Sequence, residues 1–307
     1  MKCSFGAVAL FLTAGFVFAP DVGAQVSKPP VFDAHVHLVE FTGGGNWIES
    51  QSAADSIAAA LERAGVRGSI GFASTFDIVD WRLPPGMIRG IAFPCPEGRV
   101  PNGGPVCFGG AGDFPDLAQL RSHVESGAIQ VLGEIYTQYY GIPPHDSLMT
   151  PYYALAEEFD IPVLIHMWHW NPGGPACCPN YRIANGNPLD IESVLTRFPR
   201  LRIVVQHAAA PFSRELTLLM LRYPNVYADI SGLLFMMGMG PLKTLAESYF
   251  AELAPMHSRL LFGSDNPYML QSALELLDQV SAFTEAQKRD ILYNNATRFF
   301  RLGEGSR

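Results

Sequence analysis

Basic residues are scarce in this sequence, and they form no cluster. The 307 residues include 21 Lys and Arg against 29 Asp and Glu, which gives a formal net charge of −8. Proteins that bind nucleic acid neutralise its phosphates with patches of Lys and Arg, which an acidic chain of this kind lacks. We therefore exclude nucleic acid as a partner and expect a small-molecule substrate.

Long hydrophobic runs are also missing. The apolar run over residues 5–19 is shorter than the roughly 20 residues that a membrane-spanning helix needs. It follows Lys2 and precedes the small residues 22–24, a pattern typical of a signal peptide and its cleavage site. We predict that residues 1–24 are a secretory signal peptide and that the mature protein is periplasmic or secreted, without stable membrane insertion. An anchor that is never cleaved is the alternative.

Cysteine is rare, but its number is informative. Removal of the signal peptide takes away Cys3 and leaves an even number of cysteines, which in an exported protein indicates disulfides. The sequence does not choose among the three possible pairings, and the neighbouring pair at 177 and 178 can instead be free thiols. The four remaining cysteines are Cys95, Cys107, Cys177 and Cys178.

Strand-like apolar runs alternate with amphipathic helical patterns from residue 31 to residue 280. This alternation predicts a (β/α)₈ TIM barrel with a C-terminal helical extension, built as a single domain over residues 25–307. The unit between the second and third strands lacks a clear helix. The predicted strands are 31–37, 67–74, 87–94, 129–135, 161–167, 202–208, 225–231 and 259–265.

Metal-ligating residue types stand where the predicted strands end. In a TIM barrel all these ends meet at one mouth, so the side chains can converge on one point. Each residue alone has an ordinary structural explanation, but four histidines with two carboxylates at equivalent positions indicate a metal site. The nitrogen and oxygen ligands suit Zn²⁺, and also Mn²⁺, Fe²⁺ or Ni²⁺. The candidate ligands are His35, His37, Glu134, His166, His207 and Asp265.

A metal of this kind activates water and needs a base to accept the water's proton. Asp265 is the candidate for that role, because it is the carboxylate on the eighth predicted strand.

The order of these residues resembles the amidohydrolase superfamily, whose signature is H-x-H on strand 1, His at the ends of strands 5 and 6, and Asp on strand 8. The stretches "NVYADISG", "RLLFGSDNP" and "NNATRFFRL" are similar to its amidohydrolase-related subgroup, and the likeness covers about residues 31–302. The resemblance implies that His35, His37, His166 and Asp265 bind metal. It implies that His207 either binds a second metal or orients the water or the substrate.

Two positions depart from that pattern. Glu134 replaces the carboxylated lysine that often bridges two metals, and this favours a binuclear site over a mononuclear one. The "HAAAP" stretch replaces a Gly-rich turn after His207, so the backbone there is expected to lie further from the substrate. The resemblance also makes a homodimer possible.

Aromatic residues after the strands suggest a substrate with an apolar body. We expect a metal-dependent hydrolase of amide, ester or lactone bonds, with one or two divalent ions and zinc as the first candidate. A non-oxidative decarboxylase or hydratase and a non-catalytic binding protein are the alternatives. The predicted substrate-binding residues are Tyr136, Trp168, His169 and Arg182.

Overall fold

Eight parallel strands pair in chain order to form the barrel that the sequence predicts. The computed structural model describes residues 29–42, 46–94, 113–169 and 178–302. A bridge between Val36 and Asp265 joins the first barrel strand to the last. The strands are β1 (Val31–His37), β2 (Val39–Thr42), β3 (Asn46–Glu49), β4 (Val66–Ala73), β5 (Met87–Phe93), β6 (Val131–Ile135), β7 (Val163–Ile165), β8 (Ile203–Val205), β9 (Val226–Asp229) and β10 (Leu260–Leu261).

The pair β2 and β3 lies outside the barrel as an antiparallel hairpin directly after β1. This hairpin is not among the predicted strands. All eight predicted barrel strands are present, although those after β6 are shorter than expected. They are short because the chain leaves the sheet early to form the turns that carry site residues.

Helices cover the outside of the barrel. Helix α1 begins where Ser50 accepts a hydrogen bond from the Ala53 N–H, and it buries Ile57 and Leu61. Only a short 3₁₀ turn separates β4 from β5, as the sequence suggests. The helices are α1 (Gln51–Arg63), α2 (Leu117–Glu125), α3 (Thr150–Glu158), α4 (Glu192–Arg197), α5 (Ser213–Arg222), α6 (Ser231–Gly238), α7 (Lys243–Leu253), α8 (Leu270–Gln279), α9 (Glu285–Arg289) and α10 (Asn295–Phe300).

Two apolar layers hold the barrel together. The larger layer packs the helices against the sheet, whereas the smaller one fills the barrel interior with Phe32, Ile70, Phe72 and Leu164. Because these side chains are fully buried, they close the barrel beneath the strand ends. The barrel interior therefore leaves room for a site at the carboxyl-terminal mouth.

Several sequence predictions fall outside the described residues: the signal peptide, Cys95, Cys107 and Cys177. Cys178 is disulfide-bonded, which confirms the expectation of at least one disulfide, and the pairing stays open. Within the described ranges, no helix has the length and apolar character needed to cross a membrane.

Candidate metal centre

The six predicted ligands come together at the carboxyl-terminal mouth of the barrel. Within each of two overlapping groups, the nearest nitrogen and oxygen atoms lie within 4.8 Å of one another. All but Asp265 are buried. We call this set the ligand cluster: His35 and His37 on β1, Glu134 on β6, His166 after β7, His207 after β8 and Asp265 after β10.

Glu134 reaches the centre because glycine precedes it. Gly133 has φ +152°, and a Cβ atom there would lie 2.7 Å from the Leu164 Cβ and 2.8 Å from its carbonyl oxygen. Only glycine fits both this backbone conformation and this close approach of β7. The backbone therefore turns the Glu134 side chain inward.

The two carboxylate oxygens of Glu134 face different histidines. Its Oε2 lies 3.0 Å from Nε2 of both His35 and His37. Its Oε1 lies 3.3 Å from Nε2 of His207 and 3.9 Å from Nε2 of His166. A single carboxylate thus separates two sets of nitrogen donors, and each set can hold a divalent cation.

Asp265 completes the set on the β1 side. Its Oδ1 lies 3.2 Å from Nε2 of His37 and 3.4 Å from Nε2 of His35. The carboxylate is 41% exposed, unlike Glu134, which is buried. Asp265 therefore has one side toward the candidate ligands and the other toward the mouth.

Asp229 at the end of β9 fixes the ring of His35. Its Oδ2 lies 3.1 Å from His35 Nδ1. Its Oδ1 accepts hydrogen bonds from the His207 N–H (3.2 Å) and from the Ser231 N–H (3.0 Å) and hydroxyl (2.5 Å). With Nδ1 donating to the carboxylate, the Nε2 lone pair of His35 faces the cluster.

The rings of His207 and His166 are held in the same way. Since the Ser231 hydroxyl donates to Asp229, its oxygen accepts from Nδ1 of His207, 3.0 Å away. Nδ1 of His166 lies 3.0 Å from Gln138 Oε1, whose identity as the oxygen follows from its bond to the Trp168 N–H (3.0 Å). Both rings therefore present Nε2 to the centre.

The turn after β8 has a left-handed backbone without glycine. His207, Ala208 and Ala209 have φ values of 55°, 52° and 49°, so three residues in a row adopt the left-handed conformation that usually favours glycine. The His207 N–H bond to Asp229 and the burial of all three residues hold the turn in this conformation. Glycine is thus not needed to bring His207 into the cluster.

Burial and charge act against each other at the ligands. Burial alone lowers the pKa of His37, but hydrogen bonds to Asp265 and Glu134 raise it to about 9. Burial raises the pKa of Glu134, but His35 and the other histidines bring it well below its ordinary value. For His166 burial prevails and lowers the pKa to about 3, so this ring is neutral and ready to ligate.

A cavity of about 270 Å³ opens from the cluster to the outside. Trp168, one of the predicted substrate-binding residues, lines it and packs on His207 at 5.3 Å between ring centroids. Tyr139 also lines it, with its hydroxyl 3.3 Å from His166 Nε2. Phe235 on α6 lines the outer part, whereas its neighbours Met236 and Met237 are core residues.

The remaining predicted substrate contacts differ in position. The Tyr136 hydroxyl lies 3.4 Å from His37 Nδ1, within the centre rather than on the cavity wall. The His169 ring bonds the Ala210 carbonyl and packs on Trp168. The Arg182 guanidinium donates to the carbonyls of residues 179 and 181 and does not line the cavity, so it is not placed to bind substrate.

Sequence reasoning missed the three residues that orient the histidine rings: Asp229, Ser231 and Gln138. A signal existed for Asp229, because it is a carboxylate at the end of a buried strand, as the predicted ligands are. Gln138 lies in a 3₁₀ turn after β6 and Ser231 begins α6, and neither position had a comparable signal.

The Amidohydrolase family model matches residues 32–302. The chain belongs to the amidohydrolase family. This family is generally metal-dependent, and the ligand cluster supplies the donors that such a metal needs. Protein fluG of Emericella nidulans is 26% identical over 140 residues, 40% of this amidohydrolase and 16% of the fungal protein. The amidohydrolase therefore spans only a small part of that relative's length.

Solved structures with the same fold include several enzymes. An uncharacterised TIM-barrel protein from Bordetella bronchiseptica has a TM-score of 0.59 and 16% identity, over 89% of this amidohydrolase and 98% of that chain. Dihydroorotase from Campylobacter jejuni has a TM-score of 0.55 and 17% identity, over 91% and 85%. Others with TM-scores of 0.53 are a decarboxylase and a hydratase. At these identities the likeness shows the fold alone.

Proposed function

We propose that this amidohydrolase cleaves an amide, ester or lactone bond of a small substrate at a centre that would hold two divalent ions, one on each side of the Glu134 carboxylate. The observation that carries this proposal is the division of the Glu134 carboxylate, with Oε2 facing His35 and His37 and Oε1 facing His166 and His207. The donor set suits zinc best, because imidazole and carboxylate groups are its usual ligands beside thiolates.

The residues of the ligand cluster would have two roles, metal binding and proton transfer. His35, His37 and Asp265 would hold one ion, and His166 and His207 the other. Bound divalent ions polarise a carbonyl oxygen and lower the pKa of water. Asp265 is the base, because its carboxylate is the partly exposed member of the cluster and lines the cavity. It accepts the proton of the attacking water and returns it to the leaving group as the carbon–oxygen or carbon–nitrogen bond breaks.

The cavity lining supports a substrate without a carboxylate in its outer part. A carboxylate away from the ions would need a cationic partner, usually Arg or Lys. Among the described residues that line the cavity, none is Arg or Lys. A non-catalytic binding protein is disfavoured by the buried carboxylates, because burying charge without a functional reason is costly.

Metal content and turnover together test the proposal. We expect about two ions per chain in the wild type, and a loss of at least one ion in Glu134→Gln, because the amide cannot bridge two cations. Glu62→Gln, an exposed change on α1, is the matched control. A panel of esters, lactones and amides should show turnover that Glu134→Gln abolishes. CO₂ release from an aromatic acid, with no hydrolysis, would instead establish a decarboxylase.

We also propose export, with cleavage before Gln25. N-terminal sequencing of the mature protein tests this, because an uncleaved chain would retain residues 1–24. A homodimer remains a prediction that light scattering can test.

A further inference from the structure

Among the described residues, the outer wall of the cavity is apolar and contains no Arg or Lys. Leu234, Phe235, Met269, Ala273 and Leu276 line the part that lies beyond the ligand cluster. A substrate body in this place gains free energy by burying apolar surface, and a carboxylate there would lose its water without a cationic partner.

One amide stands within this lining, and its position is fixed. Asn266 follows Asp265, and its backbone N–H donates to the Ser264 carbonyl at 2.7 Å. Its carbonyl accepts from the Met269 N–H at 2.8 Å. Its side-chain Oδ1 accepts from the Tyr268 N–H at 2.9 Å, which caps the 3₁₀ turn Pro267–Met269.

The capping bond decides which way the amide points. A backbone N–H can only donate, so the atom that faces Tyr268 must be the oxygen of Asn266. The Nδ2 atom, with two N–H donors, is therefore left for another partner. In the part of the chain that the structure describes, it has no hydrogen-bond acceptor.

Two serine hydroxyls on the wall are already engaged. The Ser231 hydroxyl donates to Asp229. The Ser264 hydroxyl faces the His35 carbonyl at 3.5 Å. Asn266 is thus a lining residue that has donors to offer to a ligand.

We propose that Asn266 binds the substrate by donating a hydrogen bond from Nδ2 to an acceptor oxygen, and that the substrate is uncharged with an apolar body. This rests on the proposed function, since the acceptor oxygen belongs to the molecule whose bond is cleaved. It adds a second polar contact, separate from the metal ligands. The contact selects ether, hydroxyl or carbonyl oxygens and rejects a plain hydrocarbon chain.

The test uses 4-nitrophenyl esters with acyl chains of equal length. One ester is the plain pentanoate, the others carry an ether oxygen at successive chain positions, and the last is the charged hydrogen succinate. The metal-loaded full chain is compared with Asn266→Asp and Asn266→Ala. Aspartate keeps the capping acceptor but offers no donor when it is ionised. Alanine removes both the capping acceptor and the donor. Asn187 also caps a 3₁₀ turn, by accepting from the Leu189 N–H, so Asn187→Asp and Asn187→Ala are matched controls.

We expect the wild type to favour one ether position over the pentanoate in kcat/KM, and to disfavour the succinate. Both Asn266 variants should reduce the ether preference by roughly fivefold to tenfold, through KM more than kcat, since one neutral hydrogen bond is lost. Metal content should stay at the wild-type value, and the Asn187 variants should keep the preference. An unchanged ether preference in Asn266→Ala, or a preference for succinate, overturns the inference.

Failure of the hydrolase proposal is distinguishable from failure of this inference. If the wild type cleaves no ester, calorimetric binding of pentanamide and of its ether analogues provides the same comparison. Loss of the ether preference in Asn266→Ala then supports the contact although the chain is no hydrolase. If the wild type and Asn266→Ala each bind all these amides equally well, the inference is overturned.

Discussion

Asp229 offers the sharpest test of how the ligand cluster is held. Its Oδ2 accepts a hydrogen bond from His35 Nδ1, and its Oδ1 accepts three from His207 and Ser231. The substitution Asp229→Asn keeps the shape of the side chain but replaces one oxygen with an N–H₂ group. We predict that this variant binds metal weakly although its fold is intact.

The magnitude follows from the two orientations of the new amide. If its N–H₂ faces the three donors, the two backbone N–H groups of His207 and Ser231 lose their acceptor, at about 1–3 kcal/mol for each buried group. If it faces His35 instead, that ring must accept at Nδ1 and carry its proton on Nε2, so it no longer ligates. The second orientation keeps the backbone bonds, and the loss of an oriented ligand weakens metal affinity by roughly 10- to 100-fold.

Competition with a chromophoric chelator measures this affinity, and thermal unfolding of the metal-free protein measures the fold. The control is Asp116→Asn, because Asp116 caps α2 by accepting from the Gln119 N–H, and asparagine caps equally well. If Asp229→Asn retains wild-type stoichiometry and an affinity within twofold, the role assigned to Asp229 is refuted.

Further predictions concern the metal, the backbone and pH. Chelation of the metal should lower Tm, because a ligand at 100 times its Kd stabilises the fold by about 2.7 kcal/mol; an unchanged Tm would argue against a bound ion. Gly133→Ala should lower the free energy of unfolding by about 2–4 kcal/mol in urea titration, from overpacking on Leu164 and backbone strain. Gly127→Ala, with φ +72° and open space for a Cβ, should cost only about 1–2 kcal/mol, and equal losses would contradict the packing argument. Burial lowers the pKa of His37, but hydrogen bonds to two carboxylates raise it to about 9, so the metal must displace a proton below that pH. Calorimetry should then show that the affinity for metal rises from pH 6 to pH 9 and that binding releases a proton. An affinity that does not change with pH would contradict this displacement.

Much of the centre could be predicted because its ligands share one structural position. His35, His37, His166 and Asp265 follow from reading the strand ends in order, and the barrel brings those ends to one mouth. The hairpin of β2 and β3 could not be predicted in this way, since it is short and belongs to no repeat. Arg182 was chosen for its charge, but its Nη1 donates to two nearby carbonyls and its side chain does not line the cavity.

The sequence by itself determined the barrel, the family and the type of ligand at each strand end. The periodic pattern sets strands and helices locally, and parallel strands in a barrel leave little freedom in where their ends lie. Only the tertiary structure decided how those ligands are held and what surrounds them. Asp229 meets His35 across 194 residues of chain, and the free donors of Asn266 depend on which atom caps a turn. Such contacts arise from side-chain directions at close range, which no spacing in the sequence records.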